Sequence, residues 1–122
     1  MCCGTGGLLQ LATAQGFEAV GVDNSVHQLR HARKKAPGAS LVQCDAQDFT
    51  TPRTFDVVTC IFDSVNYLTG VRQLRRLLAR TSRHLKSTGV FVFDIKTVHG
   101  FKGEHTRILH DARRTIIFES SY

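Results

Sequence analysis

Apolar residues in this chain fall into short runs that switch between helical and strand spacing, and the alternation predicts helices laid against the strands of a sheet. Leu8, Leu9, Leu11, Ala12 and Ala14 make a short helix that stops at Gly16, a residue type suited to a helix end. Residues 17–22 read as a strand. Ser25 and Gln28 have the spacing of a capping box, and Val26, Leu29, Ala32 and Ala36 share one face of a second helix that ends at Pro37-Gly38. Residues 39–44 form the next strand, and residues 55–62 read as a nearly fully buried one. Val71, Leu74, Leu77, Leu78, Thr81 and Leu85 keep helical spacing until Ser87-Thr88-Gly89 turns the chain into Val90-Phe91-Val92-Phe93, a further strand.

Strands separated by helices predict a doubly wound, mostly parallel sheet of the three-layer α/β type, with ligands gathered at the carboxyl ends of the strands. Four aspartates stand at those ends: Asp23, Asp45, Asp63 and Asp94. A lone aspartate after a strand is commonly a turn or cap residue, and Asp94 in particular suits a structural role. The set lies below a glycine turn, Cys2-Cys3-Gly4-Thr5-Gly6-Gly7. Such a turn lets backbone N–H groups approach a ligand closely, and a carboxylate at the next strand end accepts hydrogen bonds from ribose hydroxyls, so Gly4, Gly6 and Asp23 point to a nucleotide cofactor.

A turn of this kind follows a buried apolar strand, yet only Met1 precedes Cys2, so most of a first strand is expected to lie outside the sequence. Residues 115–122 have strand composition up to the last position, which places the other end inside a sheet as well. Unpaired strand edges follow from both, with marginal stability and self-association as the expected behaviour. From residue 97 the pattern changes: residues 97–105 are polar, and residues 106–110 and 115–122 read as two antiparallel strands. Two parts result, a core over 1–96 and the start of a β-rich cap or substrate-binding insertion over 97–122.

Composition narrows the chemistry. At 122 residues, 42% hydrophobic and 21% charged, the chain fits one globular domain or a large piece of one. No apolar stretch reaches membrane-spanning length and no signal segment is visible, so a cytoplasmic location without membrane contact is expected. The four cysteines lack metal-ligand spacing and the six histidines form no HExxH pattern, so no metal site is expected and the thiols read as reduced. The net charge of +6 is concentrated at Arg30, Arg33, Lys34 and Lys35 and along Arg72, Arg76, Arg80 and Arg83. Solvated helix faces account for these positions better than nucleic acid does, because no aromatic platform is interleaved with them.

Together these residues resemble the class I S-adenosylmethionine-dependent methyltransferases, in particular the small-molecule type whose glycine turn reads CCGTG, over about residues 2–97. The resemblance implies a Rossmann-like, seven-stranded sheet of which most of the first strand and the last two are missing here, and S-adenosylmethionine as cofactor. It implies that Gly4, Thr5 and Gly6 pass the methionine moiety, with Cys2 and Cys3 leading in, and that Asp23, with Asn24 beside it, binds the ribose. Asp45 would meet the adenine amino group, and the backbone N–H of Ala46 a ring nitrogen. Phe62 and the segment after it stand where cofactor and substrate meet, making Asp63, Asn66 and Tyr67 the candidates for orienting or polarising an acceptor, with His99 a weaker choice. Lys86-Ser87-Thr88-Gly89 departs from the proline-glycine turn usual in the family.

The implied activity is methyl transfer to a small molecule, with the oligomeric state left open. Phe62-Asp63-Ser64-Val65 is not the Asn/Asp-Pro-Pro-Tyr signature of enzymes acting on nucleobase amines. A nicotinamide-dependent oxidoreductase is disfavoured because the third glycine of its GxGxxG fingerprint falls on Leu9. The residues also leave room for an inactive fragment and, less readily, for an RNA methyltransferase.

Overall fold

The computed structural model describes residues 1–97 together with the backbone of two strands, 105–111 and 114–120. The chain runs α1 (Gly7–Ala14), β1 (Val20–Asp23), α2 (Val26–Lys35), β2 (Ser40–Gln43), β3 (Phe55–Cys60), a 3-10 helical turn (Ser64–Tyr67), α3 (Val71–His84), β4 (Leu85–Phe93), β5 (His105–Asp111) and β6 (Arg114–Ser120). β1 pairs in parallel with β2, and β3 in parallel with β4. The first residues join these two pairs: the Met1 amine donates to the Thr59 carbonyl on one side, and the Cys3 N–H donates to the Val22 carbonyl at 2.9 Å on the other. The spatial order is therefore β2, β1, residues 1–3, β3, β4, a Rossmann-like arrangement with its carboxyl ends along one edge.

Glycine decides how closely α1 approaches β1. A Cβ at Gly21 would lie 2.4 Å from Leu9 Cδ1, so the missing side chain is what lets Leu9 bury itself on the strand. In α2, Ser25 Oγ accepts from the Gln28 N–H at 3.3 Å, and Leu29 and Ala32 are the buried face. The expected face of α3 is realised in part: Leu77 and Thr81 are buried, whereas Val71 is 66% and Leu78 41% exposed. His84, which has the charge pattern of a helix end, is instead buried edge-on against Phe49, with Nε2 3.4 Å from the Phe49 carbonyl oxygen.

Three boundaries differ from the sequence expectation. β1 begins at Val20, leaving Phe17 68% exposed outside the sheet. β3 ends at Cys60, because Phe62 and Asp63 adopt positive φ (62° and 56°) and leave the extended region. β4 starts at Leu85, directly after α3, where a turn at residues 87–89 is expected. Its register against β3 shifts between Phe55 and Val57, which absorbs those residues into an irregular strand, and a Cβ at Gly89 would come 2.9 Å from the Phe55 carbonyl oxygen.

β5 and β6 form the expected antiparallel hairpin, from His105 opposite Ser120 to Asp111 opposite Arg114. His99 lies outside the described residues, as do the polar stretch 98–104 and residues 121–122.

One cluster of Ala46, Cys60, Val65 and Leu77, with Met1, Cys2, Leu68, Leu74 and Phe91 against it, makes the core beneath the carboxyl edge. Leu77 is its largest buried side chain, at 1% exposure. Leu77→Ala is expected to lower unfolding free energy by about 2–5 kcal/mol, measured by urea denaturation followed by circular dichroism.

Candidate functional site

The glycine turn is held by a side chain that is also part of the site. Gly4, at φ +53°, donates its N–H to Asp23 Oδ2 at 2.8 Å, and Ser25 donates its N–H to Asp23 Oδ1 at 2.9 Å. Each carboxylate oxygen keeps further acceptor capacity, so the same group that fixes the turn and the start of α2 can still receive hydroxyl donors. Gly6, at φ +82°, faces α2 so closely that a Cβ would lie 2.9 Å from Ala32 Cα, while a Cβ at Gly4 would meet nothing within 4 Å. The turn is thus packed on one side and open on the other. Thr5 is exposed on it, with its Oγ1 3.4 Å from Lys35 Nζ.

The pairing of β1 with β2 carries the next carboxylate alongside. Cys44 donates its N–H to the Asp23 carbonyl at 3.0 Å, so Asp45 and Ala46 follow at once on the same edge. Asp45 Oδ1 accepts from the Gln47 N–H at 3.0 Å, an Asx turn that among the described residues leaves Oδ2 without a protein donor. Ala46 is buried in the core cluster, while Asn24 is exposed and its carbonyl oxygen lies 3.4 Å from Gln43 Nε2.

After β3 the backbone is strained, and Asp94 holds it. Phe62 and Asp63, both left-handed, donate their N–H groups to Asp94 Oδ2 and Oδ1 at 2.7 and 2.8 Å. Consecutive left-handed non-glycine residues cost roughly 1–2 kcal/mol each, and two charge-assisted bonds to one carboxylate offset much of that. The result turns Phe62 outward at 81% exposure. Asn66 is spoken for: its Nδ2 donates to the Lys96 carbonyl at 2.7 Å and its Oδ1 accepts the Lys96 N–H at 2.9 Å, tying the 3-10 turn to the end of β4. Asp63 lies 4.0 Å from Lys96 Nζ, and Tyr67 is 84% exposed.

Sequence reading places Cys2 and Cys3 as a lead-in to the turn and misses what their thiols meet. Cys2, at φ +51°, packs against the cluster that contains Cys60, and the influence of the Cys60 thiol is the main cause that lowers its pKa to about 7. Partial burial and Asp23 oppose the shift, while the Met1 amine and Ser64 assist it. Cys60 moves upward in turn, through the Cys2 thiol, burial and the charge on Cys2. Burial raises Cys3 and Cys44. The glycine turn, the end of β3 and the 3-10 turn therefore meet at Cys2.

Two hollows open on the surface, one of them beside these groups. One of about 270 Å³ lies between the 3-10 turn, the start of α3 and Ile95, on the carboxyl edge beside Asn66. A larger one of about 470 Å³ opens between α2 and β2 and does not touch the glycine turn. No cluster of His, Cys, Asp or Glu suited to a metal ion occurs among the described residues.

The family model described as a methyltransferase domain matches residues 1–89. The chain belongs to the class I S-adenosylmethionine-dependent methyltransferases. Among curated members of this methyltransferase family, it is 37% identical over 94 residues to a dTDP-3-amino-3,4,6-trideoxy-alpha-D-glucopyranose N,N-dimethyltransferase of Streptomyces venezuelae, covering 77% of this chain and 40% of that protein. Among solved methyltransferase structures, an S-adenosylmethionine-dependent enzyme of Clostridium acetobutylicum superposes with a TM-score of 0.77 at 30% identity, over 91% of this chain and 48% of the other. S-adenosylmethionine-bound CalS10, an amino pentose methyltransferase of Micromonospora echinaspora, superposes with a TM-score of 0.73 at 31% identity, over 95% of this chain and 50% of the other. The chain thus spans about half the length of these methyltransferases or somewhat less.

Asp94→Ala is expected to release the Phe62–Asp63 backbone at a cost of about 1–3 kcal/mol, read by urea denaturation. Hydrogen exchange should accelerate at the Phe62 and Asp63 amides while those of β1 keep their protection.

Proposed function

We propose that this chain holds S-adenosylmethionine across the carboxyl ends of β1 and β2, as the core of an enzyme that methylates the amino group of a small molecule. The single observation that carries the reading is the Asp23 carboxylate latched to the Gly4 N–H at 2.8 Å, which places an acid with spare acceptor capacity beside an open left-handed glycine. In this reading Asp23 takes the ribose hydroxyls, Asn24 borders the ribose, and Asp45 Oδ2 takes the adenine amino group while the Ala46 N–H meets a ring nitrogen. Gly4, Thr5 and Gly6, led in by Cys2 and Cys3, give the methionine part a close backbone approach, and Phe62 offers it an apolar wall.

The cofactor supplies a methyl group on a positively charged sulfur, ready for in-line displacement by an amine lone pair. What the protein adds is alignment and exclusion of water. In this reading Asp63 and Tyr67, both exposed, orient the amine and receive its proton. Asn66 serves as a positioning residue, because its amide is committed to Lys96. Residues 97–122 would begin a cap carrying acceptor contacts, a reading supported by their antiparallel hairpin against an otherwise parallel core. An amino sugar carried on a nucleotide is the acceptor we favour, since the Streptomyces venezuelae relative and CalS10 are both named for amino-sugar methylation.

Calorimetric titration should show binding of S-adenosylmethionine and S-adenosylhomocysteine and no heat with NADH. Asp23→Ala is expected to weaken S-adenosylhomocysteine at least about tenfold, the equivalent of one lost charge-assisted hydrogen bond. Unchanged affinity in that variant would refute the placement. The acceptor is tested by mass spectrometry of nucleotide-linked amino sugars incubated with the protein and S-adenosylmethionine, with a gain of one or two methyl groups as the expected product.

A further inference from the structure

Between the end of β2 and the start of β3 the chain runs from residue 44 to residue 54 without helix or strand, and the base contacts assigned above, Asp45 and Ala46, lie in that stretch. No helical or strand ladder fixes a segment of this kind, so its place depends on what anchors it. The first anchor is β1, whose Asp23 carbonyl accepts the Cys44 N–H at 3.0 Å. The second is α3.

Three contacts tie the loop to that helix. Ala46 shares the buried cluster with Leu77. The Arg76 guanidinium forms an ion pair with the Asp48 carboxylate. His84 lies edge-on against the Phe49 ring, with centroids 5.4 Å apart at 71°, and its Nε2 is 3.4 Å from the Phe49 carbonyl oxygen. Arg76 and His84 stand about two turns apart on α3, so the helix grips the loop along its length rather than at one point. Inside the loop the grip is passed back to Asp45: the Asp48 N–H donates to the Asp45 carbonyl at 2.9 Å, and the Gln47 N–H to Asp45 Oδ1 at 3.0 Å. Fixing Asp48 therefore fixes the carboxylate whose Oδ2 has no protein donor among the described residues.

We propose that Arg76 and His84 are positioning residues for base recognition: by holding residues 45–49 on α3 they set the discrimination between adenine and a purine that lacks its 6-amino group. The proposal rests on the cofactor reading given above, in which Asp45 Oδ2 takes that amino group. Both side chains act through the loop.

The physical need is directional. A carboxylate oxygen accepts the adenine N–H only within a narrow range of distance and angle, and a displacement of about 1 Å forfeits the bond. Hypoxanthine carries a carbonyl oxygen at the same position, and two oxygens with no proton between them repel, so the site rejects that base as long as Asp45 keeps its place. The Arg76–Asp48 pair is exposed, at 56% and 44% of the two side chains, and a pair of that kind stabilises a fold little. Its loss is felt in where the loop sits, not in whether the chain folds.

The test compares S-adenosylhomocysteine with S-inosylhomocysteine by calorimetric titration of the unmodified chain and of variants. The unmodified chain should prefer the adenosyl ligand at least about tenfold. Arg76→Ala should reduce that preference at least about threefold, and so should His84→Phe, which keeps a ring against Phe49 while removing both ring nitrogens. Arg76→Lys should retain the preference, as should Arg83→Ala, which removes the same charge from an exposed position on α3. A destabilised chain weakens both ligands by one factor and leaves their ratio untouched, so the ratio separates positioning from stability. Hydrogen exchange, which needs no ligand, should accelerate at the Gln47 and Asp48 amides in Arg76→Ala and His84→Phe. An unchanged ratio in either variant, or equal losses for the two ligands, would overturn that residue's role in recognition. Unchanged exchange would overturn the hold of α3 on the loop. If the unmodified chain binds neither ligand, or both alike, the base contact assigned to Asp45 is refuted instead, and the exchange rates still decide whether α3 fixes the segment.

Discussion

The Asp23 carboxylate bridges two backbone donors from separate parts of the chain, and the geometry of the whole site hangs on that bridge. Gly4 N–H and Ser25 N–H lie on either side of β1's end, and each is a donor that the turn or the start of α2 leaves without a helical partner. One ionised group satisfies both with bonds stronger than neutral ones, which fixes a left-handed glycine turn against a strand. Because β1 is locked in register with β2, fixing Asp23 also sets Asp45 and Ala46 relative to the turn.

A second carboxylate repeats the device on the other half of the sheet. Asp94 receives the Phe62 and Asp63 N–H groups, and through them holds two left-handed residues that neither side chain favours. Backbone strain of this kind persists only where surrounding contacts over-determine it, and it concentrates at ligand sites. Here it exposes the Phe62 ring and leaves Asp63 exposed after the end of β3. The Asn66 amide, bonded to both the N–H and the carbonyl of Lys96, ties the 3-10 turn to the segment after β4.

One small cluster brings together residues that follow β2 and residues at the end of β3. Ala46, Cys60, Val65 and Leu77 are small or medium in size, and Met1 and Cys2 pack against them. Thr81 adds a hydroxyl bond to Met1 Sδ at 3.6 Å. On the flanks the sheet is less covered, with Val57 56%, Val90 42% and Val92 44% exposed. Cys2, two residues before Gly4, packs the start of the glycine turn against the cluster that holds Cys60 from the end of β3 and Val65 from the 3-10 turn.

Much of this was written in the order of residue types. Helical and strand periodicities announced the α/β alternation, glycines at 4 and 6 announced a tight turn, and aspartates at strand ends announced a carboxyl edge, because each is a local property that a single segment expresses by itself. The roles of those aspartates were not local: Asp23 latches a glycine nineteen residues back, while Asp94 restrains a backbone thirty-one and thirty-two residues before it. Nor did any spacing rule predict that Asn66 would meet Lys96, that His84 would turn inward onto Phe49, or that Cys2 would find Cys60. Those meetings follow from which strands lie side by side, and strand adjacency is set by long-range packing and hydrogen bonding that no window of sequence contains.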